Sequence, residues 1–123
     1  MTPLASLLAA VEAGDFDATP ERPTPKFNAF CRAWEAAFDY AHNYNKGWDV
    51  FYRKDVTAAI ALCEAMLPGC AVAVGFDENG PMAEIAHPLG CEMPNISERA
   101  DTPARALLIA GLRALVAKES ANG

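Results

Sequence analysis

A single α+β domain, with a short antiparallel sheet covered by about four helices, is the fold this sequence predicts. Three observations predict it. Helix-start signals occur at Thr2-Pro3, Thr24-Pro25, Asp55 and Thr102-Pro103. Val72, Val74 and Phe76 alternate on one face of a strand and run into the turn sequence Asp77-Glu-Asn-Gly80. The total of 123 residues suits one domain, 1–123, with a core that needs no staples.

Each element follows in order. Thr2 is placed as an N-cap with proline at the first helical position. Leu4, Leu7, Leu8 and Val11 then recur at i, i+3, i+4 and i+7, and Gly14 can end the helix. Residues 15–25 hold Pro20, Pro23 and Pro25. Proline lacks the amide donor of helix and strand, so this stretch is a connector inside the domain. Thr24-Pro25 restarts a helix whose apolar face is Phe27, Phe30, Cys31, Trp34, Phe38 and Ala41. Tyr40 to Tyr52 mixes large aromatics with Asn43, Asn45 and Gly47, which end the helix and turn the chain.

Asp55 caps a further helix with the stripe Val56, Ala59, Ile60, Cys63 and Leu67, closed by Pro68-Gly69. The strand of Val72, Val74 and Phe76 follows, with Ala71 and Ala73 on its other face. Met82 to Ala86 returns as the second arm of a hairpin. His87 to Asn95 carries Pro88, Gly90 and Pro94 and reads as a loop, and Ile96 to Ala100 is a possible third strand. Thr102-Pro103 caps the last helix, with Leu108, Leu112, Leu115 and Val116 inward and Arg105 and Arg113 outward. Its end, from Ser120, is expected to fray. The expected core is Leu8, Phe30, Trp34, Phe38, Ile60, Val72, Val74, Ile85, Leu108 and Leu112. Alanine supplies little apolar area, so aromatics are expected to carry much of its volume. Helices first, then a small sheet, then a helix is an α+β order.

Composition narrows the function classes. Sixteen acidic against ten basic residues leave a net charge of −6. That disfavours direct contact with nucleic-acid phosphates and with anionic membranes. It permits a basic protein partner, although solubility alone also accounts for it. The start lacks the basic residues of a signal peptide, and no apolar run approaches the ~20 residues of a membrane helix. A cytoplasmic location is therefore expected. There, Cys31, Cys63, Cys70 and Cys91 stay reduced and act first as small buried hydrophobes.

The second half carries a resemblance. Asp55, Ala58, Ala59, Leu62 and Leu67-Pro68-Gly69 form one of its motifs, and Ala100, Thr102 and Pro103 through Leu108 form the other. Together they resemble the phage ABA-sandwich domain, a group of small phage and prophage proteins. The resemblance covers Lys54 to Glu119, about half the chain. It implies a sheet held between helices and a phage or prophage origin. It carries no catalytic residues to transfer. Many members of that family have tryptophan after Pro-Gly, where this chain has Cys70. The first half lies outside the resemblance.

Candidate chemistry is sparse. Cys70, His87 and Cys91 could approach one another across the hairpin, with Cys63, Glu84 or Glu92 as a fourth zinc ligand. No Cys-x-x-Cys pair supports this, so no metal and no cofactor is expected. A cysteine nucleophile needs a base in reach, and His42 and His87 are the two histidines. The carboxylates Asp77, Glu78, Glu84 and Glu92 form no acid–base pair with opposed environments. Gly75, Gly80 and Gly90 match no phosphate loop.

The favoured site is a protein-binding surface made by Tyr40, Tyr44, Trp48, Tyr52 and Arg53, since aromatics and arginine dominate interface hot spots. The opposing reading has Trp48 and Phe51 plugging the core edge. The expectation is a non-enzymatic phage accessory protein that binds a host protein in the host cytoplasm. A basic, nucleic-acid-handling complex is the favoured target class, and inhibition of a host defence in the manner of anti-CRISPR proteins is the most concrete version. The alternatives are a small thiol- or metal-dependent enzyme using His87 and Cys91, and a structural role in phage assembly.

Overall fold

The computed structural model describes residues 2–13, 32–34, 36–37, 55–88 and 95–122. Helix α1 spans Pro3–Ala13, α2 Val56–Met66 and α3 Pro103–Asn122. Strands β1, β2 and β3 span Ala71–Asp77, Gly80–Ala86 and Ile96–Arg99. Residues 32–34 and 36–37 are helical as well. The result is the expected α+β fold, and the possible third strand is present.

The caps act as their residue types dictate. The Thr2 hydroxyl accepts from the Ala5 amide at 3.2 Å. Asp55 accepts from the Ala58 amide at 3.1 Å, and Thr102 from the Arg105 amide at 3.1 Å. Each satisfies an amide that the first helical turn leaves unpaired. At the end of α2 the Leu67 amide donates to the Cys63 carbonyl at 2.8 Å. Gly69 then takes φ of 87°, a left-handed turn that side-chain-bearing residues rarely adopt.

The sheet is an antiparallel meander in the order β1-β2-β3. Its register aligns Val72 with Ile85 and Ile85 with Ile96. One residue along each strand, the side chains point to the other face. Helix α3 lies on the Ile85 face, contacts all three strands, and packs α1 and α2 against its remaining sides. That central position buries Ala104, Ala106, Leu107, Leu108, Ile109, Ala110, Leu112 and Ala114 together. The expected single stripe of Leu108, Leu112, Leu115 and Val116 is too narrow, because burial runs around the helix to Ala104, Leu107 and Ile109, while Leu115 and Val116 are only partly buried. The helix also continues to Asn122, past the point where fraying was expected.

Close approach explains the alanines. A Cβ on Gly111 would meet Cys63 Sγ at 3.1 Å and Met66 Cε at 3.7 Å, so α2 and α3 nearly touch there. The α2 stripe is accordingly Ala59, Leu62, Cys63 and Leu67, and Val56 and Ile60 sit at its margin. Val72 and Val74 are likewise partly buried, because β1 is an edge strand. Leu8, Trp34, Ile85, Leu108 and Leu112 are buried as expected. Phe30 and Phe38 lie outside the described residues. Among the described residues, leucines with Ile85 and Trp34 fill the core, and the aromatic share is Trp34 alone.

Arg105 and Arg113 are not simply outward. Arg105 is mostly covered and pairs with Asp101 at 3.5 Å. Arg113 pairs with Glu12 of α1 at 2.6 Å and with Glu98 of β3, tying three elements together.

Candidate functional site

The residues expected to bind a partner, Tyr40, Tyr44, Trp48, Tyr52 and Arg53, lie outside the described residues, as do Cys31, His42, Cys91, Glu92 and the 15–25 connector. Two local arrangements remain, one at each end of the β1–β2 hairpin.

The first is the hairpin tip with the open sheet face. Asp77 pairs with Gly80 across a two-residue turn, and Gly80 takes φ of 105°. The Asn79 amide donates to Asp77 Oδ1 at 2.8 Å, a local turn that aspartate favours. Arg99 reaches from β3 to the same carboxylate through two nitrogens, at 2.6 and 2.5 Å, and donates to the Gly80 carbonyl at 3.3 Å. The Arg99 bonds, and then the Asn79 amide, hold the Asp77 carboxyl down at about 2. The same pairing raises Arg99. Ala71, Ala73, Glu84, Ser97 and Arg99 are exposed on the face away from α3. Phe76 shares the face of Val72 and Val74 by parity, yet it is 73% exposed. It stands opposite Pro81, next to the turn. The expected core named Val72 and Val74 and left Phe76 out. Its place one residue before the turn was the signal that it stands clear of the core.

The second arrangement is at the other end. Cys70 Sγ lies 3.6 Å from His87 Nδ1. The last β1–β2 pair is Ala71 with Ala86, so Cys70 and His87 are the next residues out on facing strands. Both are half-buried. His87 Nε2 is shut off from solvent without a hydrogen-bond partner among the described residues. Cys63 is elsewhere: its thiol faces the Leu107 carbonyl at 3.8 Å, and burial, chiefly, pushes it up to about 12. Neither cysteine is in a disulfide. Glu84 is exposed on the open face. Among the described residues, no group of three or more His, Cys, Asp or Glu side chains is arranged to hold a metal.

A shallow depression of about 180 Å³ lies along β2 and β3, lined by Glu84, Ile85, Ala86, Asn95, Ile96 and Ser97. It falls below the few hundred Å³ usual for a small-molecule pocket. Among the described residues, no helix is long and apolar enough to cross a membrane. No family model, curated protein or solved structure matches the chain. The likeness to the phage ABA-sandwich domain therefore rests on the residues quoted for it.

Proposed function

We propose that this protein acts by binding another protein rather than by catalysis. The observation that carries the reading is Phe76, a large aromatic 73% exposed at the hairpin tip. Exposed aromatic surface of this kind is a common anchor for partners. Glu78 is exposed in the adjoining turn, and the chain carries a net charge of −6. A basic partner with an apolar pocket is the matching chemistry, drawn in by long-range attraction. Tyr40, Tyr44, Trp48, Tyr52 and Arg53, which lie outside the described residues, are of the types that serve as such anchors.

The finer version is a phage or prophage accessory protein that binds a basic, nucleic-acid-handling host complex in the cytoplasm and inhibits a defence system. It rests on the ABA-sandwich resemblance and on the charge. The test is capture of partners from host lysates, followed by affinity measurement at low and high salt. Phe76→Ser, and separately Tyr44→Ala with Tyr52→Ala, should weaken binding, and salt should weaken it further. A specific partner held equally by all variants would overturn the aromatic anchor. Affinity indifferent to salt would overturn the charge argument. Capture of no partner from any defence-positive host would end the inhibitor version.

A further inference from the structure

We propose that Cys70 and His87 form a thiol–imidazole pair that makes Cys70 a site of covalent modification, exchanging with low-molecular-weight disulfides. The pair is separate from the hairpin tip, at the opposite end of the same two strands.

The fold builds the pair from both sides. Gly69 turns the chain out of α2 with φ of 87°, and the Cys70 amide donates to the Leu67 carbonyl at 3.2 Å. On the facing strand, Pro88 follows His87, and its Cγ is 3.3 Å from where a Cβ on Gly69 would lie. The positive φ favours glycine at 69, and a Cβ there would also press on the Pro88 ring. The 3.6 Å separation of Sγ and Nδ1 is within hydrogen-bond reach for sulfur.

The proton inventory favours transfer. A thiol carries one hydrogen, so a bond from Cys70 to Nδ1 requires the tautomer with its hydrogen on Nε2. Nε2 is the buried atom without a partner among the described residues. The cost of one orphaned N–H is therefore already carried in the neutral pair. Moving the thiol proton to Nδ1 places the new N–H against the thiolate and creates no second orphan. The imidazolium beside it is the standard device for activating a cysteine. It has work to do here, because the carbonyl end of α2 disfavours a nearby anion.

The reaction balances without a further reagent. Cys70 gives its proton to His87 Nδ1. The thiolate attacks one sulfur of R–S–S–R, a new S–S bond joins Cys70 Sγ to that sulfur to give the mixed disulfide, and the original S–S bond breaks. The leaving thiolate takes the proton from His87 and departs as RSH. Cys63 is the internal control. It is 1% exposed and held as a thiol by burial, so it stays unreacted.

The test uses the reduced full chain with oxidised glutathione at pH 7, and peptide mass mapping at Cys31, Cys63, Cys70 and Cys91. Cys70 should be modified at least about tenfold faster than Cys63, and His87→Asn should slow Cys70 by about threefold or more. The other three rates should not change. Cys70 reacting no faster than Cys63, or equally fast in His87→Asn, would overturn the proposal. Should His87→Asn fail to fold, the wild type decides alone. Cys70 must then react faster in the folded protein than in guanidinium, where no imidazole is held beside it. A slower folded rate overturns the pair.

Discussion

The two faces of the sheet are built from alternate residues of the same strands and obey different rules. Ile85 is fully buried, and its neighbour Glu84 is exposed. On the Ile85 face, α3 sits down on Ala83, Ile85 and Ile96, and fit decides which residues are acceptable. On the other face, small and charged side chains meet solvent, and Arg99 crosses the sheet to reach the turn. The helix face holds the fold together. The open face leaves side chains available for other contacts at little cost to stability.

Neighbouring substitutions give the largest test of that contrast. Ile85→Ala removes a fully buried side chain and should cost about 2–5 kcal/mol, whereas Glu84→Ala, one residue away, should stay within about 0.5 kcal/mol. Denaturant midpoints for both variants check it. Similar losses at both positions would mean that the open face is covered in solution.

The next test lies where α2 meets α3. Gly→Ala in a helix normally gains up to about 1 kcal/mol, but a Cβ at Gly111 would sit 3.1 Å from Cys63 Sγ. The sulfur is boxed in, 1% exposed and against the Leu107 carbonyl. Overpacking should win, so Gly111→Ala should destabilise by about 1 kcal/mol. In a Cys63→Ala background the sign should reverse, because the obstacle is gone and the helix gain remains. A double-mutant cycle with no coupling would show that the contact costs nothing.

The contrast between the faces also explains what the sequence could convey. Caps were legible because Thr2, Asp55 and Thr102 act through local bonds to amides three residues on. The hairpin was legible for a similar reason: strand alternation and an Asp-x-x-Gly turn are short-range patterns. The centrality of α3 was not. A stripe of leucines reports one buried face, and only the approach of three partners converts Ala104, Ala106, Ala110 and Ala114 from filler into contact surface. The same limit applied to the site. Cys70 and His87 were both suspects for thiol or metal chemistry, but their meeting depends on the register of β1 with β2. The expected aromatic surface from Tyr40 to Arg53 lies outside the described residues, and the exposed ring on which the binding proposal rests is Phe76.

The smallest expected effect is on the open face itself, at the Asp77–Arg99 pair. Both side chains are exposed, about 40% each, and such pairs contribute little at ordinary salt. The sign is nonetheless fixed. Arg99 first, and the Asn79 amide second, hold the folded carboxyl near 2, below the usual carboxylate range. The folded state therefore favours the ionised form. Its contribution is present above about pH 4, where the unfolded chain is also ionised, and is lost as pH falls through about 2. Asp77→Asn removes that contribution at every pH. The gap in melting temperature between wild type and Asp77→Asn should be constant from pH 7 to about pH 5, then close as pH approaches 2. High salt should shrink it at pH 7, because exposed charges are screened. A gap that stays constant down to pH 2 would show that Arg99 holds Asp77 through shape alone. The open face would then be electrostatically passive, and attraction to a basic partner would have to come from elsewhere on the chain.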